Sequence, residues 1–105
     1  MPISNRPWGD VSEADYTPEA FCRASLIDMN PSGEPKVKAR CKLPVKEPGG
    51  ALNRNGVHAA AAVLAGARGG VDAPPDARRA AARRLIGYYR ELDESPPPAI
   101  VRLAD

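Results

Sequence analysis

Twelve prolines and nine glycines divide this 105-residue chain into separate short segments. Proline fixes φ and has no N–H to donate, and glycine loses the most freedom on ordering, so clusters of the two end helices and strands. The strongest stops are Asn30-Pro31-Ser32-Gly33, Pro48-Gly49-Gly50, Gly69-Gly70 and Ser95-Pro96-Pro97-Pro98. Between them lie short stretches with readable periods, and the length is that of one domain. A chain of this size buries somewhat over 60% of its unfolded surface, roughly, enough for one modest core.

The first periodic stretch opens at Thr17-Pro18-Glu19. A hydroxyl at the N-cap, proline at the first helical position and an acid in the first turn predict a short helix over about 18–23, anchored by Phe21. Residues 24–29 then read as extended, and Asn30–Gly33 as a turn. Lys36 to Leu43, KVKARCKL, alternates cation and apolar residue without a break. In a strand that alternation places Lys36, Lys38, Arg40 and Lys42 on one face and Val37, Ala39, Cys41 and Leu43 on the other. A hairpin joining 24–29 to 36–43 follows. Two registers stay open: pairs summing to 63 put Cys22 opposite Cys41, and pairs summing to 64 separate them. A one-residue slip would invert a face.

Downstream, Asn53 or Asn55 caps a helix over about 55–67 that is apolar nearly all round, which predicts packing on several sides. A further helix over about 75–92 starts at Pro75. It carries the stripe Ala77, Ala81, Leu85, Tyr88 and Leu92, with Arg79, Arg83 and Arg90 on its outer face. The expected architecture is α+β: a short N-terminal helix, a β-hairpin, two C-terminal α-helices and extended terminal arms. Residues 1–11 form an extended N-terminal arm, 12–95 a single small α+β domain, and 96–105 a Pro-rich C-terminal tail that either docks or dangles.

Charge is segregated along the chain. Residues 1–35 hold six acids and two bases, residues 36–90 twelve bases and three acids, and residues 91–105 four acids and Arg102. A basic middle between acidic ends either folds against those ends or faces an anionic partner. The strand cations read equally as a solvated edge that discourages strand pairing between chains. Trp8 reads as part of an interaction arm or as a tail laid on its own domain.

Few residue patterns point to chemistry. There is one histidine, no GxSxG and no phosphate loop, so no nucleophile–base pair can be named and no catalytic residue is expected. His58, Cys22 and Cys41 lack the tight local pair usual for tetrahedral zinc, so neither metal nor cofactor is expected. The segment LNRNGVH could seat an anion at a helix start with help from Arg54, but capping by Asn53 or Asn55 explains the same residues. No apolar run reaches the length of about 18 needed to cross a bilayer, and the N-terminus lacks a signal-peptide stretch. A cytoplasmic setting follows as the expectation, and with it free thiols at Cys22 and Cys41.

Three marks suggest kinship: KLP-x-x-EP-G-G at Lys42–Gly50, N-x-x-G-V-x-A-A at Asn53–Ala60, and Y-R-E-L-D-E-x-P-P at Tyr89–Pro97. Over about residues 16–98 the chain resembles a small domain of unassigned activity that recurs in tailed-phage and prophage proteins, particularly actinobacterial ones. That domain occurs in or beside head-morphogenesis proteins, including capsid-associated and prohead-protease polypeptides. The protease's catalytic residues are not present here. The resemblance implies a virion or head-assembly setting, with assembly in the bacterial host cytoplasm.

The resulting expectation is a phage head accessory structural protein, of minor capsid or decoration type, that docks on the capsid lattice. The residues expected to bind the partner are Lys36, Lys38, Arg40, Lys42, Arg79, Arg83 and Trp8. The partner would be the major capsid protein or another head protein, with self-association compatible and no membrane involved. The alternative is a nucleic-acid-binding accessory protein of phage replication or packaging, which clustered cations also suit. No aromatic residue interleaves the basic stretch, as single-strand stacking would require.

Overall fold

The computed structural model describes residues 2–105 and has an α+β architecture. Helix α1 spans Pro18–Ala24. The Thr17 hydroxyl accepts from the Ala20 N–H at 3.1 Å and Pro18 occupies the first turn, as the sequence predicts. Strands β2 (Ser25–Asp28) and β3 (Cys41–Pro44) form an antiparallel hairpin. Helices α2 (Arg54–Leu64) and α3 (Pro75–Glu91) follow. Two further short strands, β1 (Ile3–Ser4) and β4 (Leu52–Asn53), pair in parallel.

The hairpin departs from both expected registers. Its partners are Ser25 with Pro44, Ile27 with Lys42 and Asp28 with Cys41, so positions sum to 69. Asn30 is the reason. Its Oδ1 accepts from the Val37 N–H at 2.8 Å, and its Nδ2 donates to the Val37 carbonyl at 3.3 Å. One side chain thus takes both backbone groups that a strand partner would have taken. The ladder stops at the Met29 N–H to Arg40 carbonyl bond, and 30–39 becomes a long loop.

The alternating stretch is therefore not one strand. Lys38–Arg40 coil into a 3-10 turn, and only Cys41–Pro44 pair as β structure. Lys36, Lys38, Arg40 and Lys42 do not line a common strand face. Period-two alternation permits a strand but does not supply the backbone partners that make one.

Two cores result. The larger joins Leu26, Ile27 and Val45 of the hairpin region to Val57 and Leu64 of α2 and to Leu85 and Tyr89 of α3. Ala60 and Ala61 of α2 and Ala81 and Ala82 of α3 are buried in it. α2 buries one face and exposes His58 and Ala62, so it is less enclosed than its composition predicts. The smaller core holds Tyr16, Phe21, Cys22, Ala24 and Cys41. Here the Tyr16 and Phe21 rings meet edge to face, with centroids 5.3 Å apart.

Cys22 and Cys41 form a disulfide across this smaller core, with Cα atoms 5.3 Å apart. The free-thiol expectation is corrected. The 63 register is not needed to bring the sulfurs together, because Cys22 lies on α1 and meets β3 through helix packing.

Both termini join the fold. The N-terminal segment is extended but pinned: Ile3 pairs with Leu52 and Ser4 with Asn53, and the Leu52 N–H donates to the Pro2 carbonyl at 3.0 Å. At the other end Pro98–Leu103 form helix α4, where a Pro-rich tail was expected. Pro98 starts this helix rather than ending the preceding one, since the first helical turn has no use for a proline N–H. Ile100 is fully buried, and the Arg83 guanidinium caps the Ala104 carbonyl at 2.9 Å.

Candidate functional site

The residues expected to bind a partner scatter into different roles. Lys36 pairs with Asp28 at 2.6 Å. The Lys38 ammonium donates to the Glu13 carbonyl at 2.9 Å, and Arg83 is tied to Ala104. Each of these cations holds the domain together. Arg79 lies at the 3.9 Å limit of a pair with Asp76 on the exposed face of α3. Arg40 and Lys42 make no ion pair among the described residues. Trp8 packs on its own domain: three of its ring carbons lie 3.0 Å from where a Cβ on Gly56 would sit.

Two cations not expected from the sequence stand together instead. Arg23, on the last turn of α1, and Lys46, just past β3, line one open cleft with Ala20, Ala24 and the loop Glu47–Gly50. Its volume is about 270 Å³. Two interactions through Lys46 fix this wall. Its ammonium lies 5.7 Å over the Tyr88 ring, and its carbonyl accepts from the Tyr16 hydroxyl at 2.5 Å. Burial first, then the negative charges of Glu47 and Asp15, push the Tyr16 phenol up to about 12, so it remains a donor. Arg84 flanks the same Tyr88 ring at 6.0 Å and donates to the Ser25 and Leu26 carbonyls at 3.1 and 3.0 Å.

Glu47 lines the cleft too, but its carboxylate is engaged elsewhere. It accepts from Asn53 Nδ2 at 2.8 Å. Hydrogen bonds from the Ser4 hydroxyl and then Asn53 hold it below the usual carboxylate range, against a smaller opposing effect of burial. The only sequence signal for the cleft is the Pro-Gly-Gly loop itself. Arg23 and Lys46 converge on it through the packing of α1 against β3, which no local pattern encodes.

The start of α2 already holds an anion. The fully buried Asn53 caps the helix, its Oδ1 accepting from the Gly56 N–H at 2.7 Å and its Nδ2 donating to the Arg6 carbonyl at 2.9 Å. Arg54 pairs with Glu94, and His58 Nε2 lies 2.6 Å from the other Glu94 oxygen. The His58 hydrogen bond, then that of Arg54, holds the Glu94 carboxyl below its usual range, with burial opposing. The anion that LNRNGVH suits is thus a side chain of the same molecule.

His58 does not join the cysteines. The ligand-type atoms near them belong to Asp28, within 4.8 Å of both sulfurs. Asn30 Nδ2 sits 3.3 Å from Cys41 Sγ and 3.6 Å from Cys22 Sγ. Bonded to each other, the sulfurs offer no thiolate, and Asp28 is drawn below its ordinary range chiefly by Lys36. No helix among the described residues is long and apolar enough to cross a membrane. No family model, curated protein or solved structure matches the chain.

Proposed function

We propose that this chain is a phage head accessory structural protein, of minor capsid or decoration type, that docks on an acidic surface of the capsid lattice or of a neighbouring head protein. One observation carries the docking part. Arg23, Arg40, Lys42 and Lys46, all on α1 or on the run through β3, make no ion pair among the described residues. Unpaired cations steer encounter and fix register more than they add affinity. The head setting is supported by the resemblance of the KLP-x-x-EP-G-G, N-x-x-G-V-x-A-A and Y-R-E-L-D-E-x-P-P stretches. Of the expected contact residues Arg40 and Lys42 remain, because Lys36, Lys38, Arg79 and Arg83 have partners within the fold and Trp8 packs against Gly56; the two cleft cations join them.

Purified particles test the reading. The protein should sediment with heads through a density gradient and be shed as salt rises, since exposed charge pairs are screened over about 8 Å at physiological ionic strength. Absence from washed particles would overturn the virion assignment. Tight binding of generic DNA, with a steep salt slope removed by Arg40→Ala and Lys42→Ala, would favour the nucleic-acid alternative.

A further inference from the structure

We infer that the cleft between α1 and the Glu47–Gly50 loop is a carboxylate-binding slot that takes an acidic peptide segment of the docking partner. The inference rests on the docking reading above and names the part of the surface that recognises the partner.

Three features make the slot selective for negative charge. Arg23 and Lys46 line it, and neither hydrogen-bonds or ion-pairs through its side chain among the described residues. The carboxylate of Glu47, the one acid in the lining, bonds Asn53 and Ser4 and makes no ion pair with either cation. Lys46 is also positioned: its ammonium rests against Tyr88, and its backbone is fixed by Tyr16 and by a bridge to Leu52. A preordered cation loses less freedom on binding than a free surface lysine.

Size and surroundings favour a peptide. About 270 Å³ accommodates one or two acidic side chains and falls below the range of about 300 Å³ upward typical of sites for larger small molecules. Glu13, Asp15 and Glu19 lie on the approach to α1 and its first turn, all exposed. A nucleic-acid strand carries a charge on every phosphate and would be repelled along that flank. A peptide presenting one or two carboxylates at the slot avoids the repulsion.

The lip of the slot provides a clean test. Gly49 lines it, has no positive φ, and a Cβ added there meets nothing within 4 Å. Gly49→Glu therefore places a competing carboxylate at the slot without backbone strain. A fluorescein-labelled Gly-Ser decapeptide with two adjacent glutamates at its centre is titrated by anisotropy against the full chain, with thermal unfolding as the control for folding. Saturable binding should weaken at least about fivefold in Gly49→Glu and in Arg23→Glu, with melting temperature unchanged. Failure of the wild type to bind, equal binding by both variants, or tighter binding of a labelled oligonucleotide at the same residues would overturn the slot. The two readings fail separately. A Gly49→Glu, Arg23→Glu protein that still enters heads sinks the slot alone, and a wild type that binds the peptide but never enters heads sinks the head assignment alone.

Discussion

The Trp8 ring lies directly against the backbone of Gly56, with three ring carbons 3.0 Å from the position of a Cβ. Glycine in a helix costs about 1 kcal/mol relative to alanine. Here it leaves the flat patch on which the N-terminal segment closes. Gly56→Ala should displace the indole, shifting Trp8 emission to the red. Overpacking of about 1–3 kcal/mol should outweigh the gain in helix propensity and lower the melting temperature. An unchanged emission spectrum would show that the ring is not seated there in solution.

The Cys22–Cys41 bond closes a loop with a sequence separation of 19. Cross-links of that span stabilise by about 3 kcal/mol, mainly by restricting the unfolded chain. Cys22→Ser with Cys41→Ser should lower the denaturant midpoint accordingly and raise hydrogen exchange at Val37, whose carbonyl and N–H are held by Asn30 beside the disulfide. Equal midpoints for oxidised protein and the double variant would argue against the bond.

Ile100 is the fully buried residue of the short helix α4. Ile100→Ala should cost about 2–5 kcal/mol in a urea titration, as for a core position. Val101→Ala, on the exposed side of the same helix, should change little. Similar small effects for both would mean that α4 does not dock.

Stability should fall as pH falls through the acid range. Glu94 is held below its ordinary value by His58 and Arg54, and Asp28 by Lys36, so both favour the folded state when ionised. Their contribution is complete above the unfolded carboxyl value near 4.5 for Glu94 and is lost as pH drops through the lower folded value. Glu94→Gln should flatten the midpoint-against-pH curve below about pH 4.5. An unchanged slope would separate Glu94 from acid unfolding.

Local chemistry made some of this architecture readable in advance. Thr17 and Pro18 announce α1, Pro75 starts α3, and Asn53 caps α2, because capping involves neighbours three residues apart. The hairpin register was not readable, because it depends on Asn30 reaching across its own loop to Val37. Nor was α4, since Pro96-Pro97-Pro98 signals an ending and a beginning with the same residues. Among the candidate contact residues, charge alone could not separate Lys38, which a carbonyl 25 positions away takes up, from Lys42, which makes no ion pair among the described residues. Such sorting is decided by packing between distant segments.

The parallel pairing of Ile3 with Leu52 also sets an order of events. As the chain leaves the ribosome, β1 has no partner until β4 has been made and positioned beside Val45, whose carbonyl accepts the Asn53 N–H at 2.9 Å. Contacts so distant in sequence form late, because the loop must close before they contribute. Strand β1 thus behaves as a latch. Asn53 and Asn55, which donate to the Arg6 carbonyl, and Arg54, which donates to Asn5, hold the latch shut only once α2 has begun.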